Sequence, residues 1–109
     1  VVSQIQNHGF DPASELVEVA PRLDGLLYTE DITAAISAHH PRLALVLLGG
    51  VNYLTGQVLD MAAIAAHTQQ LNAAAQARGA PRVPLGLDLA HAVGNVPLSL
   101  HAWGVDLPR

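Results

Sequence analysis

The sequence predicts an α/β domain with a mostly parallel sheet and helices on both of its faces. Two apolar runs, residues 43–50 (LALVLLGG) and 82–90 (RVPLGLDLA), carry this prediction, because continuous apolar runs are typical of strands that are covered on both sides. Between them lies a helical pattern that begins after Asp60 and ends at Gly79. Strand, helix and strand in this order are characteristic of a parallel sheet with right-handed crossovers.

The composition limits both the size of the domain and its partners. The chain has 109 residues, of which half are hydrophobic and 13% are charged, so it has the content of one ordered domain with a single core. A formal net charge of −4 leaves no basic surface for a phosphate backbone, and nucleic acid is therefore not an expected partner. Cysteine is absent, which excludes disulfides and thiolate metal sites and fits a reducing cytoplasm.

The longest apolar run and the two ends of the chain limit its context. Residues 43–51 are far fewer than the roughly 20 that a membrane-spanning helix needs, so no membrane partner is expected. The first ten residues (VVSQIQNHGF) show no signal-peptide pattern, and GVDLPR at the other end stops where an extended segment begins. We therefore expect residues 1–109 to form one partial domain that continues on both sides.

Local signals predict the elements of the first half of the chain. Residues 3–8 are expected to be the end of a helix. Residues 15–21 (ELVEVAP) alternate apolar and acidic side chains, which indicates a half-exposed strand. Thr29 is a candidate N-cap for the helix EDITAAISAHH, which Pro41 ends.

The second half of the chain has a stronger pattern. Asp60 is a candidate N-cap for an Ala-rich helix that runs through Arg78, and its inward stripe at helical spacing consists of Met61, Ile64, Thr68, Leu71 and Ala75. Pro84 argues against strand pairing in the first residues of the run 82–90. Residues 97–104 predict one or two helical turns, and residues 105–107 the start of another strand.

Polar side chains follow both buried runs. Asp88 and His91 come at the end of the second run, and residues 50–57 (GVNYLTGQ) follow the first. Because the carboxyl ends of parallel strands share one edge of a sheet, we expect both loops to face the same crevice. Residues three apart in a turn return to the same side, so Asp88 and His91 could contact one ligand.

The residues alone leave three interpretations of Asp88 open. It could cap the turn that follows the strand, bind a metal together with His91, or pair with a cationic group of a ligand. A metal site needs a third ligand, and the other five histidines show no ligand spacing, so no metal is expected. The loop 50–57 lacks the Gly-Lys-Ser/Thr ending of a phosphate-binding loop, and no nucleophile elbow is present.

Two motifs carry a resemblance to a known family. GVNYLTGQ (50–57) and GLDLAHAVGNVPLSLHAWGVD (86–106) resemble the kynureninases, which are pyridoxal 5′-phosphate (PLP) enzymes of the aminotransferase class V group with fold type I. The resemblance implies hydrolysis of L-kynurenine to anthranilate and L-alanine, in tryptophan catabolism and NAD biosynthesis, by a cytoplasmic homodimer. It implies that residues 1–109 are an internal segment of the large PLP-binding domain and that L-kynurenine or 3-hydroxykynurenine is the substrate.

The resemblance assigns two cofactor-binding residues to this chain and no catalytic residue. Asp88 matches the Asp that meets the pyridine nitrogen of PLP, and His91 matches a His that contacts the cofactor. Gly49 stands where some relatives have a Ser or Thr that contacts the cofactor, and the helix before Asp88 is longer than in those relatives. The family's Schiff-base lysine follows the WGVD segment, whereas these 109 residues contain no lysine.

Two other functions remain as alternatives. Desulfurase-like lyases of the same PLP group share the Asp at the strand end, and the sequence around the Schiff-base lysine would distinguish them from kynureninases. A non-catalytic α/β module could have kept the motif by descent.

Overall fold

A three-stranded parallel sheet in the order β1-β2-β3 forms the centre of the fold. The computed structural model describes residues 1–108. The strands are β1 (Val46–Gly49), β2 (Leu85–Asp88) and β3 (Leu107–Pro108). In the register, Val46 lies beside Leu85, Gly49 beside Asp88, and Gly86 beside Leu107. The predicted α/β class and the parallel sheet are therefore confirmed.

Five helices and one 3₁₀ turn are described in residues 1–108. They are α1 (Val2–Asn7), α2 (Pro12–Glu15), α3 (Thr29–His39), the 3₁₀ turn His40–Arg42, α4 (Met61–Ala77) and α5 (Leu100–Trp103). Asp60 caps α4 as predicted, since its carboxylate accepts a hydrogen bond from the Ala63 N–H at 2.9 Å. None of these helices combines the length and the apolar character that crossing a membrane requires.

The core lies between one face of the sheet and the helices α3 and α4. The side chains of Val46, Leu85 and Leu87 point to this face and are buried. They join Ile32 and Ile36 of α3 and Ile64 of α4 in one hydrophobic cluster. The predicted inward stripe of α4 is buried at Met61, Ile64, Thr68 and Ala75, while Leu71 is partly buried against the cluster.

The opposite face of the sheet is formed by Leu47, Gly86 and Leu107. Gly86 lies on this face, and a Cβ placed on it would be 3.0 Å from Cδ1 of Leu47 and 3.6 Å from Cβ of Leu107. These two leucines are 45% and 49% exposed. Within the described residues, α3 and α4 cover one face of the sheet, and this second face is the more exposed of the two.

The predicted strand over residues 15–21 is not formed. Asp11 caps α2 by accepting from the Ala13 N–H at 3.0 Å, and α2 includes Glu15. The next N–H, that of Leu16, donates back to the Pro12 carbonyl. Residues 16–20 then run without a sheet partner among residues 1–108, and Val17 and Val19 line an apolar cleft beside β1. The prediction was wrong because alternation describes a half-buried segment but does not supply a neighbouring strand.

The role predicted for Thr29 is also wrong. Asp31 and Ile32 both donate their N–H groups to the Tyr28 carbonyl, so Tyr28 is the N-cap and Thr29 is the first helical residue. The first turn is held from outside by Arg22, which bonds Asp31 at 2.8 Å and Glu30 at 3.1 Å. Acidic side chains favour this end of a helix, and their ion pairs with Arg22 tie the first turn to the segment before it.

Both buried strands are shorter than the apolar runs that predicted them. At the start of the second run, the N–H and the carbonyl of Val83 bond the side chain of Asn72. Pro84 has no N–H and contributes only its carbonyl, which accepts from the Val46 N–H at 3.0 Å. The doubt that Pro84 placed on the first residues of this run is confirmed.

Candidate functional site at the carboxyl end of the sheet

The ends of β1 and β2 lie side by side. Gly49 and Asp88 are neighbours in the register, and the Gly50 N–H donates to the Asp88 carbonyl at 2.8 Å. The loops that follow the two strands therefore leave from the same edge of the sheet. This confirms the sequence-based expectation that both loops leave one edge of the sheet, the carboxyl edge at which open α/β sheets bind ligands.

Asp88 presents an exposed carboxylate at this edge. Its Oδ1 atom accepts from the Ala90 N–H at 3.0 Å, so the side chain does cap the turn after β2. Its Oδ2 atom has no hydrogen-bond partner among the described residues. One oxygen is thus used by the turn, and the other is free to accept a bond from a ligand.

The turn after β2 gives His91 a fixed backbone. Ala92 and Val93 donate their N–H groups to the Leu89 carbonyl at 2.9 and 3.0 Å, and the Ala92 side chain is completely buried. The Asn95 side-chain amide donates to the His91 carbonyl at 3.0 Å. His91 itself is exposed, so its imidazole stands on a fixed turn at the same sheet edge as Asp88.

The loop after β1 brings an aromatic side chain to His91. The ring of Tyr53 lies 6.2 Å from the His91 ring, measured between centroids, with an angle of 32° between the planes. This separation is within the range at which aromatic rings interact. No role for Tyr53 follows from the sequence, in which its only signal is an aromatic residue in a turn of Gly, Asn and Thr.

The two glycines that end the first apolar run have different surroundings. A Cβ on Gly50 would lie 2.8 Å from Sδ of Met61 and 3.3 Å from Cδ2 of Leu89, so Gly50 allows β1 to pack closely on the core. A Cβ on Gly49 would meet no atom within 4 Å. The space beside Asp88 is therefore open at Gly49.

Within residues 1–108, His, Cys, Asp and Glu side chains form no group of three or more that could hold a metal ion. The site contains instead one carboxylate, one imidazole and one phenol, on two loops that share an edge. These groups can accept and donate hydrogen bonds to the edge of a flat polar ligand.

The ionisable groups with shifted pKa values nearest to β2 lie at its amino end, opposite to Asp88. Arg82 donates to both carboxylate oxygens of Asp106, at 2.7 and 3.0 Å, and holds the pKa of Asp106 below its usual range. One of these oxygens also accepts from the Leu85 N–H at 2.9 Å. Asp106 therefore fixes the start of β2, whereas Asp88 lies at its end.

The fold and the site define an α/β protein with a ligand-binding edge at the carboxyl ends of parallel strands. No family model matches the chain. It is 54% identical to the kynureninase of Eremothecium gossypii over 105 residues, which are 95% of this chain and 22% of that protein. It is 50% identical to the kynureninase of Pyricularia oryzae, over 97% of this chain and 19% of the relative.

A bacterial relative gives the same result. The kynureninase of Xanthomonas campestris pv. campestris (strain B100) is 50% identical over 107 residues, which cover 97% of this chain and 23% of the relative. The chain thus spans about a fifth of the length of these curated relatives. It is similar to one segment of kynureninases over almost its whole length, and the resemblance seen in the sequence is confirmed.

Proposed function

We propose that this chain forms one wall of the PLP site in a kynureninase, a hydrolase that cleaves a carbon–carbon bond of L-kynurenine to give anthranilate and L-alanine. One observation carries the proposal. In a chain about half identical to kynureninases, β2 ends on an exposed carboxylate with a free oxygen, that of Asp88. The longer protein is proposed to act in the cytoplasm as a homodimer, on L-kynurenine or 3-hydroxykynurenine.

The residues at this edge fit PLP. The free Oδ2 atom of Asp88 can accept a hydrogen bond from a protonated pyridine nitrogen, and the open space at Gly49 leaves room for a flat ring beside it. His91 can bond the ring oxygen or a phosphate oxygen. When bound, PLP supplies an electron sink for the substrate carbanion. Asp88 supports that chemistry because its negative charge favours the protonated form of the ring nitrogen.

The chain supplies only part of such a site. It contains no lysine, so the amine that would hold PLP covalently must come from outside these 109 residues. We therefore propose the activity for the longer protein and expect none from the 109-residue chain alone. The role of the segment is to bind and orient the cofactor through Asp88 and His91.

The test is the Asp88→Asn variant of the complete protein, purified with PLP. Asparagine keeps the shape and can still accept from the Ala90 N–H, but its neutral amide does not favour a protonated ring nitrogen. We expect PLP to remain bound and the kcat for anthranilate release to fall by about two orders of magnitude. Anthranilate fluorescence measures the rate, and the PLP absorbance band measures occupancy.

The matched control is Asp11→Asn. Asp11 is an exposed carboxylate that caps α2, and asparagine caps a helix equally well, so this variant should keep its full rate. An unchanged kcat in Asp88→Asn would show that Asp88 is only a turn cap. Bound PLP without anthranilate release in the unaltered protein would assign the chain to another PLP enzyme, such as a desulfurase-like lyase.

A further inference from the structure

We propose that Tyr53 is a positioning residue of this site, which holds the imidazole of His91 in the orientation that contacts the cofactor. The proposal rests on the function proposed above, because that function assigns His91 to PLP. The observation that supports it is the contact between the Tyr53 and His91 rings, whose centroids lie 6.2 Å apart. The two residues belong to the loops that follow β1 and β2. Neither the sequence motifs nor the resemblance assigned a role to Tyr53.

The loop that carries Tyr53 is fixed by its own hydrogen bonds. Oδ1 of Asn52 accepts from the N–H groups of Leu54 and Thr55 at 2.9 and 3.0 Å. The Gly56 N–H donates to the Asn52 carbonyl at 2.8 Å, and the positive φ of +72° at Gly56 closes the turn. These bonds fix the backbone on both sides of Tyr53.

A second anchor ties this loop to the body of the chain. The Gln57 side chain accepts from the Leu27 N–H at 2.9 Å and donates to the Leu27 carbonyl at 2.6 Å. The Asn52 N–H donates to the Gln57 carbonyl at 2.9 Å, so the anchored residue and the turn are joined. The position of Tyr53 relative to β1 is therefore set by the fold.

The Tyr53 ring contributes nothing to the core, although its backbone is fixed. The side chain is 79% exposed. Because the ring stays exposed, it contributes no free energy of burial to the stability of the fold. The aromatic neighbour that the described residues supply for this ring is His91.

His91 needs such a neighbour. Its backbone is held by the turn around the buried Ala92, but its side chain is exposed, so core packing does not fix χ1 and χ2. A tyrosine ring on one side restricts those rotations and leaves the other side of the imidazole for a ligand. The expected gain is slower release of PLP, since less rotational freedom is lost on binding.

A double-mutant cycle on the complete holoprotein tests the proposal, with the release rate of PLP as the readout. Tyr53→Leu removes the ring from an exposed position and should speed release by about two- to fivefold, the lower part of the range for aromatic pairs. Tyr53→Phe keeps the ring and should release PLP as slowly as the unaltered protein does. Leu54→Ala, at the adjacent and equally exposed position (80%), is the matched control and should not change the rate.

The cycle is completed in the His91→Ala background. If Tyr53 acts through His91, Tyr53→Leu should cause no further acceleration there. Equal acceleration in both backgrounds, or acceleration by Tyr53→Phe as large as by Tyr53→Leu, would overturn this inference and leave the proposed function intact. An unaltered protein that binds no PLP at all would overturn the proposed function and this inference with it.

Discussion

Asn72, near the middle of α4, is the residue whose removal should destabilise the fold most clearly. Its side chain is 2% exposed. Its amide pairs with Val83 twice, because Nδ2 donates to the Val83 carbonyl at 2.9 Å and Oδ1 accepts from the Val83 N–H at 2.7 Å. The same oxygen lies 3.0 Å from Nε2 of His40. Since the Val83 contact fixes Oδ1 as an acceptor, Nε2 of His40 is the donor.

The expected magnitude follows from the groups that lose their partner. Asn72→Ala leaves the N–H and carbonyl of Val83 and the Nε2–H of His40 without a bond, and these residues are 3% and 4% exposed. An unsatisfied buried polar group costs about 1–3 kcal/mol. We expect the free energy of unfolding to fall by about 3–6 kcal/mol, because a water molecule in the vacated space offsets part of the loss. The total stability of a domain is about 5–15 kcal/mol.

The measurement is urea unfolding of the complete protein, followed by far-UV circular dichroism and compared between the variant and the unaltered protein. Gln76→Ala, an exposed position one turn further along α4, is the control and should change the unfolding free energy by less than about 0.5 kcal/mol. A loss below about 1 kcal/mol in Asn72→Ala would refute the assignment of these three bonds.

Two further predictions concern the strand ends. Gly50→Ala should lower the unfolding free energy by about 1–3 kcal/mol, because its Cβ would lie 2.8 Å from the buried Met61 sulfur. Gly49→Ala, whose Cβ would meet no atom within 4 Å, is the control and should change the unfolding free energy by less than about 0.5 kcal/mol. Equal losses for the two variants in thermal melts would contradict this prediction. Arg82 holds the pKa of Asp106 below its unfolded value of about 3.9, so the pair stabilises the fold above about pH 4 and this contribution is lost as pH falls through the folded pKa. Asp106→Asn should therefore flatten the acid side of the stability curve, and an equally steep curve would refute the pairing.

Much of α4 and of the site's edge could be predicted because their signals are local. The cap at Asp60 and the buried stripe follow from helical spacing alone. Asn72, four residues after Thr68, is buried on the same helix, although the predicted stripe did not include it. The shared edge of the two loops follows from the parallel order of the strands, which the apolar runs around α4 indicate.

The predictions that failed depend on contacts made far away in sequence. Whether residues 15–21 form a strand depends on a neighbouring strand, and their alternation carries no information about one. The contact between Tyr53 and His91 joins two loops separated by a strand and a helix, so no local pattern contains it. Tertiary contacts decide these features, and local propensity does not.

The two ends of β2 have separate tasks, and the variants proposed above can tell them apart. At the amino end, the Asn72 amide holds Val83, and the Asp106 carboxylate holds the Leu85 N–H. At the carboxyl end, Asp88 and His91 are exposed and contribute no buried contact. Substitutions at the amino end should therefore lower the free energy of unfolding, whereas Asp88→Asn and His91→Ala should leave it nearly unchanged and alter the rate or the retention of PLP. This separation follows because β2 is anchored at one end by satisfied buried groups, so that the other end can present an incompletely bonded carboxylate without a cost in stability.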